Sequence, residues 1–149
     1  MRNFNTLCLG NRILIDGRVF GAPGLEEGVI TRIKGDEVEV IHSTTRKSYR
    51  CMRNQIEAIE LDNMILTSLG FTERSMTDSR GATIKDKIKS TEPKEDGDVW
   101  YLISIQETKR GFFMTIKENG MDILGSGFPK TLHQLQNMVR FITDGKYEI

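Results

Sequence analysis

Cysteine is nearly absent from this chain. Cys8 and Cys51 stand far apart and form no CxxC pair. That argues against a disulfide framework, and no zinc-ligand spacing appears either; a reduced, cytoplasmic protein of a bacterial cell is the expectation. Long apolar runs are missing too. The opening MRNFNTLCLGNRILIDG holds none long enough for a signal peptide or a membrane span. Charge of either sign is not in excess: 21 Lys and Arg balance 21 Asp and Glu. No global field therefore draws the protein to nucleic acid or membrane, and any such binding needs a local patch. No Gly-rich phosphate loop and no paired-carboxylate arrangement is present. His42-Ser43 lacks a carboxylate and an oxyanion hole placed with it, so it makes no nucleophile. Neither a catalytic residue nor a metal or cofactor site is expected, and the chain reads as a non-enzyme.

The strongest pattern lies at residues 131–143, TLHQLQNMVRFIT. Leu132, Leu135, Met138, Val139 and Ile142 recur at three- and four-residue spacing, which predicts a helix with one apolar stripe. His133, Gln136, Asn137 and Arg140 fall outside that stripe. Thr131 with Gln134 has the form of a capping box, and Gly145 suits a left-handed C-cap.

Residues 1–60 read as all-β. A short run at Arg12–Ile15 is closed by Asp16-Gly17. Glu27–Lys34 and Glu37–His42 alternate on either side of Gly35-Asp36, the composition of a tight hairpin. Lys47–Cys51 and Gln55–Leu61 continue the pattern. Several short strands joined by tight turns predict a small SH3-like β-barrel. Asn63–Leu69 reads as a short helix, capped by Asp62 and ended by Gly70 with Phe71 folding back on Leu66. Ser75–Asp98 is the most polar stretch, with four basic and one acidic residue over Arg80–Lys89 and four acidic and one basic over Glu92–Asp98. It is expected to be a mobile hairpin or loop with TEPKEDGD at its tip. Val99–Gln106 and Gly111–Lys117 are predicted strands, with a third at Met121–Leu124 and an edge strand at Tyr147–Ile149. The fold class is thus α+β. The barrel fills residues 1–60; a small antiparallel sheet with the C-terminal helix packed on it fills 61–149.

The order "LGNRI…DG", "IEAIEL…ILTSLGF", "VWYLISI…GFFMTI" and "TLHQLQNMVRFITDGKYEI" resembles a group of small uncharacterised proteins of Bacteroidota genomes, their phages and mobile elements. HQLQN at His133–Asn137 is its most specific part. This chain departs from the group at Leu61-Asp62, where Leu-Thr is common, and in a longer Ser75–Asp98 insertion. The resemblance implies an architecture and a phage or mobile-element setting. It implies no activity.

Two binding candidates remain. Arg46, Lys47, Arg50 and Arg53 place four cations in eight residues around Tyr49, with no acid among them. Such a run suits a phosphate backbone and a stacked base, or merely protects an edge strand. Strand alternation sets Arg46 and Arg50 on one face and Lys47, Tyr49 and Cys51 on the other. His133, Gln136, Asn137 and Arg140 form the second candidate, with structural hydrogen bonding as the competing reading. The expected partner is nucleic acid or a host protein. The alternative is an anti-defence sponge for a small anionic cyclic nucleotide, which needs a basic, aromatic pocket. No membrane partner is expected.

The apolar stripe places Leu135 at the centre of the helix's buried face. Leu135→Ala should lower stability by about 2–5 kcal/mol. A thermal melt unmoved by that substitution is the contrary result.

Overall fold

The computed structural model describes residues 6–91 and 97–149. The chain divides into two units, residues 1–60 with 131–137 and residues 61–130 with 138–149.

In the first unit, alternation of apolar and polar residues produces antiparallel strands β1 (Arg12–Asp16), β2 (Leu25–Lys34), β3 (Glu37–His42), β4 (Ser48–Met52) and β5 (Ile56–Glu57), ordered β4-β3-β2-β1-β5. Ile13, Ile15, Ile30, Val38, Val40 and Cys51 are buried together, with Phe20, Ile33, Tyr49 and Ile56 packed around them. Gly35, at φ 61, opens the tight β2–β3 turn that pairs Lys34 with Glu37. A 3-10 turn at Arg53–Gln55 separates β4 from β5. Strand pairing does not close this sheet into a ring. β4 and β5 are the two edges of an open sheet, with no pairing between them among the described residues. The reason is length: β5 keeps only Ile56 and Glu57, both spent on β1, where an alternating run from Gln55 to Leu61 was expected.

The second unit begins with α1 (Asn63–Ser68). Asp62 Oδ1 accepts from the Ile65 amide at 2.7 Å, an N-cap as predicted. Beyond its end Gly70 adopts φ 85, the Gly70 amide donates to the Thr67 carbonyl and the Phe71 amide to the Leu66 carbonyl. This is the Schellman arrangement, and it buries Phe71 and Leu66. Strands β6 (Thr72–Thr77), β7 (Thr83–Ser90), β8 (Tyr101–Thr108), β9 (Gly111–Glu118) and β10 (Asp122–Gly127) follow as an antiparallel meander, ordered β10-β9-β8-β7-β6. Tyr101, Ile103, Ile105, Met114 and Ile116 form its buried face.

Two expectations are corrected in this unit. Ser75–Thr77 and Thr83–Ser90 pair as a hairpin, one of the two expected forms, but without the expected tip. The hairpin tip is at 78–82, where Asp78 Oδ1 accepts from the Arg80 and Ala82 amides, and most of TEPKEDGD lies outside the described residues. Charge does what apolar burial does elsewhere: Asp86 on β7 takes Arg74 of β6 and Ser104 of β8. Tyr147–Ile149 form no strand. Thr143 Oγ1 accepts from the Tyr147 amide at 3.2 Å and turns the chain back instead.

Helix α2 (Leu132–Ile142) is shared, its first half in the first unit and its second in the other. Leu132, Leu135 and Val139 are fully buried and Met138 nearly so. In the second unit, Gly125 and Gly127 of β10 let the helix sit directly on the strand. A Cβ on Gly125 would lie 2.8 Å from Ile142 Cδ1, and one on Gly127 would meet the tip of Met138. The helix ends with Asp144 rather than Gly145 as its first left-handed residue, at φ 52. The Gly145 amide then reaches the Arg140 carbonyl at 2.7 Å.

Gly17 and Gly127 offer a contrast. A Cβ on Gly17 would fall 2.7 Å from the carbonyl oxygens of both Ala22 and Gly24. These are backbone atoms of residues hydrogen-bonded to Gly17, whose amide donates to the Gly24 carbonyl and whose carbonyl accepts from the Ala22 amide. Gly17→Ala should cost about 1–3 kcal/mol. Gly127→Ala meets only the end of a flexible methionine and should cost less. Urea denaturation of both variants measures the order, and a reversed order contradicts the geometry.

Candidate functional site

The cationic run does not assemble into one patch. Cys51 is buried and Tyr49 half-buried, so the predicted alternation holds and Arg50 faces outward. Tyr49 is spent on packing, its ring edge-on to Phe20 at 4.6 Å, and does not stand out as a stacking platform. Arg50 Nε lies 3.2 Å from Glu39 Oε1, and Arg32 Nη1 3.7 Å from the same oxygen. Arg53 does not turn alongside Arg46 and Arg50. Instead it enters the 3-10 turn past the far end of β4, and its Nε donates to the Gly35 carbonyl at 2.9 Å. Arg46 occupies the turn before the strand, at φ 60. Seven residues of mostly extended chain put roughly 20 Å between Arg46 and Arg53. Arg46 and Lys47 remain exposed at one end. His42 is part of that turn: its Nδ1 accepts from the Thr45 amide at 3.0 Å, and Nε2 meets Glu26 Oε2 at 3.3 Å.

The polar side of α2 is largely buried and hydrogen-bonded. His133, Gln136 and Asn137 are 6%, 7% and 8% exposed. Asn137 Oδ1 accepts from Asn11 Nδ2 at 2.9 Å, and its Nδ2 donates to the Thr6 carbonyl at 2.8 Å. Gln136 Oε1 accepts from the Arg12 amide at 3.0 Å. His133 Nδ1 lies 3.1 Å from Thr131 Oγ1. Asn137 and Gln136 thus hold the strand-entry loop of the first unit. Arg140 pairs with Glu148 at 2.9 Å near the C-terminus.

The second unit contains a cavity of 360 Å³ lined by Asn63, Glu73, Lys85, Asp86, Lys87, Ile105, Glu107 and Phe112. Three carboxylates against two lysines do not favour an anionic nucleotide. No cluster of three or more His, Cys, Asp and Glu suited to a metal exists among the described residues, and no helix there is long and apolar enough to cross a membrane.

Sequence reasoning placed a strand near Met121–Leu124 but did not see what it exposes. β10 is an outer strand of its sheet, and Met121, Ile123, Leu124 and Phe128 on and beside it are 76%, 63%, 41% and 45% exposed. The Phe128 ring rests on Phe113, with centroids 4.9 Å apart. A bulge between Ile123 and Gly125 interrupts the pairing with β9. The other edges carry charge or are short: β4 has Arg50, β6 has Glu73 and Arg74, and β5 has two residues. Edge position follows from pairing order, which composition does not encode.

No protein-family model, curated protein or solved structure matches the chain.

The Asp86 carboxyl is held away from its ordinary value. Burial pushes it up, but the Arg74 guanidinium at 2.6 Å and the Ser104 hydroxyl at 2.5 Å outweigh burial and hold it below its usual range. A group depressed in the folded state contributes stability above its unfolded value of about 3.9 and loses it as pH falls through the folded one. Asp86→Asn should therefore melt lower than wild type at neutral pH, with the gap closing on acidification below about pH 4. A gap constant from pH 7 to 2 contradicts this.

Proposed function

We propose that the protein is a non-enzymatic binding protein of a phage or mobile element, and that its partner is a protein engaged along β10. The observation that carries this reading is the contrast between edges. Proteins blunt exposed strand edges with charge, brevity or cover, because unpaired amides and carbonyls template further pairing. Three edges here follow that rule. β10 keeps a bulge but has no charge after Asp122, and it is flanked by large exposed apolar side chains. Contiguous apolar exposure of this kind marks association surfaces. The first unit we take to be SH3-like, on the strength of its meander order and the 3-10 turn between β4 and β5. Nucleic-acid binding has less support, since Arg50 and Arg53 are engaged and Tyr49 is turned inward. The cyclic-nucleotide reading also has less support, since the 360 Å³ cavity sets three carboxylates against two lysines.

Ile123→Lys with Leu124→Lys tests the reading, because both side chains are exposed and their replacement leaves the core intact. Tagged wild type and variant are cross-linked in cells and recovered, and attached protein is quantified, including other copies of the chain. Wild type should retain a protein partner that the variant loses at least about tenfold, or about 1.4 kcal/mol. Equal recovery by both, or no partner on wild type, overturns it. Co-purified nucleic acid lost on Arg46→Ala with Lys47→Ala would move the function to the β4 turn.

A further inference from the structure

We infer that the cavity of the second unit binds a small zwitterion, a free α-amino acid with an apolar side chain. No residue of β10 lines that cavity, so the site is separate from the strand edge. The β7–β8 ladder runs from Ser90 opposite Leu102 only as far as Lys87 opposite Ile105. Past that pair the two strands part, and residues on both sides of the gap line the 360 Å³ cavity. A volume of that size is at the small end of ligand pockets. Cross-strand register sets Glu73, Lys87 and Ile105 in one row, and Glu107 opposite Phe112. Strand alternation puts these residues and Lys85 on one face of the sheet. Of the three carboxylates around the cavity, that of Asp86 is turned to the other face, where it takes Arg74 and Ser104. The charges left facing the cavity are two lysines and two glutamates, in balance.

These four charges are not equivalent. Lys85 and Glu73 face each other at 3.8 Å on the exposed rim. Lys87 is half-buried and has no ion-pair or hydrogen-bond partner among the described residues. An ammonium held partly out of water is costly until an anion meets it. Glu107 stands across the gap, its Oε2 3.5 Å from Asn63 Nδ2, which is too long for more than a weak bond. Lys87 and Glu107 are diagonal neighbours across the strand pair, their Cβ atoms at least about 7–8 Å apart. One group carrying both charges fits between the two heads. Its carboxylate meets Lys87 and its ammonium meets Glu107, at charge-assisted distances of about 2.7–2.9 Å. The Phe112 ring, opposite Glu107, favours a cation beside it. Ile105 and Phe112 leave an apolar floor for the ligand's side chain. A polyanion would be repelled by Glu73 and Glu107, and a simple cation by the two lysines. A neutral molecule with separated charges meets neither penalty.

Titration of the isotope-labelled full chain with L-leucine, L-methionine or L-phenylalanine reads the site through its amide resonances. At least one should bind with a Kd of about 1 mM or tighter and move the amides of Lys87, Glu107 and Phe112. The amide of that amino acid lacks the carboxylate, and its N-acetyl derivative lacks the ammonium. Each should bind at least about tenfold more weakly than the parent. Lys87→Met should weaken the parent by a similar factor and leave the amide derivative unaffected. Glu107→Gln should weaken the parent and leave the N-acetyl derivative unaffected. Lys87→Arg keeps the cation and should bind as wild type does. A misfolded variant loses every ligand alike, so the match of each variant to one ligand group separates contact from collapse. No shift with any of the amino acids up to about 20 mM overturns the inference, as do derivatives that bind as well as the parent. Shifts confined to residues away from the cavity overturn its location.

Discussion

A buried amide must find a partner, and the first unit satisfies that demand with residues from opposite ends of the chain. Asn11 is fully buried. Its Oδ1 takes the Cys8 amide at 2.7 Å, and its Nδ2 reaches Asn137. Asn137 continues to the Thr6 carbonyl, and Gln136 takes the Arg12 amide. Such a network rigidifies when complete and is costly when one member is missing. It delivers the chain into β1 at a defined register, and the rest of the meander follows strand by strand. The polar face of α2 is thus a second buried face with different chemistry from the apolar stripe.

Local rules were legible where the signal was local. Asp62 and the Gly70-Phe71 pair capped α1 as read, Gly35-Asp36 made its turn, and the α2 stripe was buried. Long-range matters were not. A polar helix face looks the same in sequence whether it meets water or the amides of a loop more than 120 residues away. The strands β6 and β7 were read as a mobile hairpin or loop because apolar content was the guide, and Asp86, Arg74 and Ser104 hold that hairpin by charge and hydrogen bonds. The four cations near β4 sit close in sequence, yet a five-residue strand keeps Arg46 and Arg53 apart.

The two sheets treat their edges differently, and the difference is chemical. Arg50 lies against Glu39 on the outward face of the first sheet, with Arg32 on the same carboxylate. Exposed pairs of this kind contribute little to stability. Their effect is on company: a charged edge must be desolvated before another strand can join it. At β10 the cost is absent, and Gly125 and Gly127 bring α2 close above the strand, so that an incoming segment would meet a two-layered surface.

The pairing of Asn11 with Asn137 also has a kinetic side. Their separation is 126 residues in a chain of 149. Contacts so far apart in sequence close late, because loop-closure entropy is incurred before they return anything. During synthesis the strands of residues 12–57 leave the ribosome long before the helix that completes their unit. Until residue 137 emerges, the Arg12 amide and Asn11 Nδ2 must be served by water. Final ordering of the loop before β1 therefore waits for α2.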